Sequence, residues 1–171
     1  MSDRLTMQDP RHQYPRPPFP RQPQPAPGLV AKMEPKPDHG EESYRGHGRL
    51  KGRRALITGG DSGIGRAIAV AYAREGADVA ISYLPSEEAD AREVIALIEA
   101  EGVKALALPG DVRDEAWNAT MVARTLEAFG GLDILVVNAG RQQFREDVGE
   151  VSTEDFDATL KTNLYALHWL C

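Results

Sequence analysis

The sequence predicts an α/β fold, a doubly wound parallel sheet, and three observations predict it. From Arg53 onward, short apolar runs closed by Gly, Pro or Asn alternate with amphipathic segments of helical period. Four glycines, Gly59, Gly60, Gly63 and Gly65, crowd the junction between the first apolar run and the first helical segment, where a helix would ordinarily avoid them. The order strand, helix, strand, helix, with helices of about 12 to 16 residues, is the pattern of right-handed crossovers joining parallel strands.

The strand-like runs are RALIT (54–58), ADVAISY (77–83), KALALPG (104–110) and LDILVVNAG (132–140). The first helix follows Gly63, with Ile64, Ile68, Ala71 and Tyr72 expected on its inner face and Gly76 as its stop. In the second, Ala91, Val94, Ile95 and Ile98 recur at helical spacing, a Glu88 to Arg92 pair supports them, and Gly102 ends the run. The third places Ala119, Val122, Leu126 and Phe129 on one stripe and stops at Gly130. The last opens with Ser152 as cap and Asp155 three residues on, then runs helical to Cys171; apolar neighbours there give His168 and Trp169 a packing role.

Residues 1–50 differ in texture from residues 51–171. Ten of the twelve prolines lie between Pro10 and Pro37. Proline fixes φ and removes the amide donor, so this segment reads as an extended arm, either a disordered tail or a strap laid over a neighbouring subunit. PRPPFP is a weak match to a peptide for an SH3-type partner. Eleven Lys/Arg stand against six Asp/Glu up to Arg54, and nine against twenty beyond it, a basic arm on an acidic body. The cations are dispersed among prolines rather than blocked or interleaved with aromatics, which argues against nucleic-acid binding.

The totals, 171 residues, a formal net charge of −6 and 42% hydrophobic residues, suit one globular unit. Neither an uninterrupted apolar span nor a secretory apolar block is present, so no membrane partner is expected and the cytoplasm is the expected location. The single Cys171 supports no disulfide, His12, His39 and His47 lack ligand spacing, and no metal site is expected.

The glycine cluster is where chemistry is expected. TGGDSGIG (58–65) reads Gly-x-x-x-Gly-x-Gly, directly after a strand and opening a helix, the context in which unpaired helix amides receive a diphosphate. Asp61 and Ser62 can add side-chain hydrogen bonds within the turn. A P-loop is excluded because Gly65 is followed by Arg66 and Ala67 rather than Lys and Ser/Thr.

This segment, with GDV (110–112) and NAG (138–140) at the ends of the third and fourth strands, resembles the short-chain dehydrogenase/reductase family. Residues 27–53 are similar to the leader of a bacterial glucose/ribitol dehydrogenase-like subgroup. The resemblance implies a Rossmann-type sheet, of which these residues are the N-terminal half. It implies cofactor contacts from Gly59, Asp61, Ser62, Gly63, Ile64 and Gly65; from Asp111 to the adenine amino group, with the Val112 amide at the ring; and from Asn138, Ala139 and Gly140 near the ribose. An acid at the end of the second strand would bind the 2′-hydroxyl of NAD; Tyr83 stands there and Leu84 offers no cation, so NADP or NAD is expected, with a lean to NADP.

The family transfers hydride between nicotinamide and an alcohol or carbonyl, here a sugar, polyol or small aldehyde or ketone, using a Tyr, a Lys four residues on, a Ser, and an Asn on the fourth helix. Asn163 matches the Asn. None of the five tyrosines is followed by Lys at the fourth position. The expectation is therefore an N-terminal fragment, inactive by itself, with apolar surface exposed on its last strand and helix, and a tetramer when full length. A nucleotide-binding or scaffold protein without turnover is the alternative.

Overall fold

The computed structural model describes residues 7, 9–12 and 14–171. Four strands, β1 (Arg54–Thr58), β2 (Asp78–Tyr83), β3 (Ala105–Pro109) and β4 (Ile134–Val136), form one sheet in the order β3-β2-β1-β4 with every neighbouring pair parallel. Helices α1 (Gly63–Arg74), α2 (Glu88–Ala100) and α3 (Glu115–Phe129) make the crossovers. After β4 come α4 (Thr153–Leu160), a π-turn (Lys161–Tyr165) and α5 (Ala166–Leu170).

Alternate residues of each strand feed two cores. Ile57, Val79 and Ile81 meet Ala69 and Ala73 of α1 and Val94 and Ile98 of α2 on one face. Leu56 and Ala80 meet Met121 and Phe129 of α3 and Ala166 and Leu170 of α5 on the other. Both faces of the sheet are thus covered, as a parallel sheet requires. Because the chain runs β1 to β2 to β3 outward and then returns to place β4 on the other side of β1, the connections leaving β1 and β4 part to opposite sides, and a crevice opens outside their carboxyl ends.

The structure corrects several sequence expectations. The α1 face buries Gly65, Arg66, Ala69, Val70 and Ala73, while Ile68 and Tyr72 are only partly covered and Ile64 is 74% exposed. In α3 Phe129 is buried as expected, but the rest of the buried stripe is Asn118, Met121 and Thr125, one residue round from Ala119, Val122 and Leu126. Buried Asn118 is tolerated because its Nδ2 donates to the carbonyls of Val112 (2.7 Å) and Asp114 (2.8 Å), and Thr125 because its hydroxyl donates to the Met121 carbonyl. Strand β4 is three residues rather than nine, since the backbone amides of Asn138 and Ala139 serve Thr58 at the end of β1 instead of the ladder. His168 is exposed rather than packed.

Residues 1–6, 8 and 13 of the arm lie outside the described residues. Its remainder contains two 3₁₀ turns (Pro10–His12 and Val30–Lys32), and residues 40–49 are stitched to the end of α1. Arg74 donates to the carbonyls of Gly40, Glu41 and Tyr44; Glu75 accepts from the Tyr44 hydroxyl and from the amides of His47 and Arg49. Arg66, with a side chain 3% exposed, pairs with Glu41 (2.8 Å) and Glu93 (3.2 Å). Among the described residues no helix is long and apolar enough to cross a membrane.

Candidate functional site

Strand β1 delivers Thr58, fully buried, to the mouth of the crevice. Its hydroxyl accepts from the amides of Asn138 (3.0 Å) and Ala139 (3.1 Å), and Asn138 Nδ2 donates back to the carbonyls of Thr58 and Gly59. The end of β4 is thereby fastened to the glycine loop. Thr58 was not singled out by sequence; a small β-branched polar residue ending a buried strand is the signal that could have found it.

Gly65 starts the second residue pair of α1 directly beneath this loop, and a Cβ there would stand 1.9 Å from the Gly59 carbonyl oxygen. Helix and loop can touch only without that carbon. Gly63 has φ +51° with open space around it, so it turns the chain into the helix and leaves the approach clear. Ser62 stands at the N-cap, yet its side chain caps none of the α1 amides, in contrast to Asp114 at α3 and Ser152 at α4, which accept from the amides of their own first turns. The first-turn donors of α1 face the crevice, and no acidic residue lies in that turn.

The crevice is a cleft of about 930 Å³. Gly59, Asp61, Ser62, Gly63, Ile64, Tyr83, Asp111, Val112, Asn138, Ala139, Gly140 and Asn163 all line it; of the expected site residues only Gly65 does not, being packed under the loop. One flank, over β2 and β3, carries Tyr83, Leu84 and Glu87 and Gly110 to Arg113; the other, beyond β4, carries Asn138 to Gln143 and Asn163.

The flanks differ in charge. Asp61 is 2% exposed with Oδ2 unpartnered, and burial pushes its carboxyl above the usual range despite a hydrogen bond from Ser62. Glu87, partly buried beside Asp61 and Asp90, is pushed up to about 6, chiefly by desolvation. Burial likewise raises the Tyr83 phenol to about 12, and its hydroxyl is committed to Glu88 (2.7 Å) rather than to the cleft. Burial opposes ionisation of Asp111 too, but Arg113, at 2.6 Å, outweighs it and holds the carboxyl below the usual range. Arg113 and Glu87 are further lining residues that sequence reasoning passed over.

On the other flank Asn163 sits in the π-turn and makes a reciprocal pair with the backbone of Arg141, Oδ1 accepting from its amide (2.8 Å) and Nδ2 donating to its carbonyl (2.9 Å). The Arg141 guanidinium in turn bonds Asp155 on α4 (2.7 Å). No group of three or more His, Cys, Asp or Glu is placed to hold a metal ion among the described residues.

Residues 53–171 match the short chain dehydrogenase family. The chain is 54% identical over 164 residues, 96% of its length, to the uncharacterized oxidoreductase YghA of Escherichia coli (strain K12), covering 56% of that protein. It is 33% identical over 149 residues to the glucose and ribitol dehydrogenase of Daucus carota, 84% of this chain and 51% of the other. A crystal structure of a short chain dehydrogenase from Burkholderia cenocepacia J2315 in complex with NADP superimposes with a TM-score of 0.69 at 48% identity, covering 71% of this chain and 49% of that one. The chain spans about half the length of the relatives it matches.

Proposed function

The chain belongs to the short chain dehydrogenase family, and on that premise we propose that it forms the adenosine- and diphosphate-binding part of an NADP- or NAD-dependent oxidoreductase acting on an alcohol or carbonyl compound. The observation that carries this reading is the helix start of α1, uncapped by Ser62, opening into the cleft beneath a loop that a Cβ on Gly65 would fill.

The residues fit such a cofactor. The amides at Gly63 to Gly65 and the Ser62 hydroxyl receive the diphosphate. On the β2–β3 flank Asp111 and the Val112 amide meet adenine, with Arg113 holding Asp111 ionised and ready to accept its amino group. On the β4 flank Asn138 to Gly140 approach the nicotinamide ribose, and Asn163 fixes the Arg141 backbone beside them. When bound, the nicotinamide supplies the hydride that is gained or lost.

NADP is favoured by the absence of an acid at Tyr83 and by the cofactor of the Burkholderia relative. NAD has its own support in the carboxylates of Asp61 and Glu87, which suit ribose hydroxyls better than a 2′-phosphate. Sugars, polyols and small aldehydes or ketones are the proposed substrates of the complete enzyme, consistent with the name of the Daucus relative. Since no Tyr here has a Lys four residues on, the 171 residues alone hold cofactor without turnover. Apolar Phe156, Leu164 and Leu167, each about half exposed along α4 to α5, support assembly into a homo-oligomer, a tetramer when full length.

Fluorescence titration of the chain with NADPH and NADH tests the reading. Saturable binding of at least one, without oxidation in the presence of an aldehyde or sugar, is the expected result; no saturable signal with either up to millimolar concentration refutes it.

A further inference from the structure

The proline-rich arm returns to the cleft. Ala26 and Pro27 line it, both exposed, on a segment held to the domain by one buried contact. Three residues on, Val30 is 5% exposed and its amide donates to Oδ2 of Asp90 (2.8 Å), itself 1% exposed on α2. The segment between is closed on itself by two glutamines. Gln24 donates to the carbonyl and accepts from the amide of Leu29 (3.1 and 2.9 Å), and Gln22 does the same with Glu34 (2.6 and 2.8 Å). Each side-chain amide thus pairs with one residue's backbone in both directions, as a neighbouring strand would.

This places Ala26 and Pro27 on one particular side. Three residues of extended chain reach about 10 Å at most, so Pro27 stays within that distance of the Val30 anchor. Asp90 belongs to the helix that follows β2, and its charge is felt by both Asp61 and Glu87, which line the same flank. The arm therefore stands over β2, away from the Asn138 to Asn163 flank.

We propose that Ala26 and Pro27 form the outer wall of the adenosine subsite, held there by Asp90 as a positioning residue, so that the arm is part of the cofactor site of its own chain. This rests on the cofactor reading above. The ligand it serves is the adenosine half shared by NADPH, NADH and 2′,5′-ADP. Small apolar groups in open solvent at the cleft edge gain a covering partner only when a flat ring or ribose lies against them. Inorganic diphosphate, received at the α1 start alone, has no such contact.

The test compares the native chain with a variant lacking residues 1–37, which keeps the stitched 40–49 segment, and with the double variant Ala26→Gly/Pro27→Gly, which keeps the Val30 to Asp90 bond. The expected result is a loss of affinity of about tenfold for NADPH and for 2′,5′-ADP alike, ~1.4 kcal/mol each, with inorganic diphosphate unaffected. In the native chain, saturating NADPH is expected to slow trypsin cleavage at Lys32 and Arg21. Unchanged affinity in folded variants, or arm cleavage indifferent to cofactor in a native chain that binds it, overturns the wall. Absence of binding by the native chain instead overturns the cofactor reading itself.

Discussion

Substituting Gly65→Ala tests the contact on which the cleft is built. The added Cβ would lie 1.9 Å from the Gly59 carbonyl oxygen, 2.8 Å from its carbon and 2.7 Å from Asn138 Nδ2, against the 3.4 Å at which ordinary contact begins. Relief requires about 1.5 Å of separation between helix and loop. The Gly59 oxygen cannot yield alone, because it also accepts from Asn138, whose own amide is bound to Thr58. Overpacking costs about 1–3 kcal/mol, and here, with backbone on the receiving side, the upper end applies. Weakening the Asn138 bonds adds about 1 kcal/mol. The sum, about 3–4 kcal/mol, is a large part of a typical domain's stability of about 5–15 kcal/mol. It corresponds to a fall in Tm of roughly 6–16 °C for a chain of this size. Gly63→Ala is the control: its Cβ meets nothing within 4 Å, but φ is +51°, so the cost is about 1–2 kcal/mol of backbone strain. Urea denaturation followed by circular dichroism reads both. If Gly65→Ala unfolds within about 0.5 kcal/mol of the native chain, the smallest resolvable loss, the close approach is not what the loop requires.

Other expectations concern charge and the second flank. Glu75 is held down to about 2, first by the Tyr44 hydroxyl and then by the Arg49 amide, so its contribution is present above the ordinary carboxylate pKa of 4.5 and is lost as pH falls from there through 2. Hydrogen exchange at the His47 and Arg49 amides should accelerate across that window, and Glu75→Gln should abolish the dependence. Glu87 has the opposite sign. With its pKa raised to about 6, the folded state is favoured below 4.5 and loses that advantage as pH rises through 6. Because the charge lines the cleft, affinity for the anionic cofactor should rise severalfold as pH falls through 6, and Glu87→Gln should flatten the titration. Asn163→Ala removes both bonds to the Arg141 backbone, at a cost of about 1–2 kcal/mol. The Arg141 amide should then exchange faster while the glycine loop stays protected; equal exchange in both proteins would show that Asn163 does not hold the loop after β4.

What was legible in the sequence was local. The glycine loop, its strand and its helix lie within about twenty contiguous residues, and chain direction alone puts Asp111 and Asn138 at the same sheet edge. Residues 53–171 and their parallel order follow from that alternation. Where hydrophobicity misled, polar residues had found carbonyl acceptors for their donors inside the fold. Asn118 and Thr125 turn inward because carbonyls of their own helix and of Val112 receive them, which leaves Leu126 45% exposed. Contacts of the arm were invisible for another reason: Glu41 with Arg66, Glu75 with Tyr44 and Val30 with Asp90 join residues 25 to 60 positions apart, and no local pattern encodes such a pairing.

The paired residues at the end of α1 have one consequence beyond attachment. Arg74 can only donate and the Glu75 carboxylate can only accept, so the strap must offer carbonyls to the first and N–H or O–H groups to the second. A strap shifted by a single residue would offer the wrong pole to one of them. The join between leader and body therefore has one permitted alignment, and an insertion or deletion between Gly40 and Arg49 should be far less tolerated than one among the prolines before it.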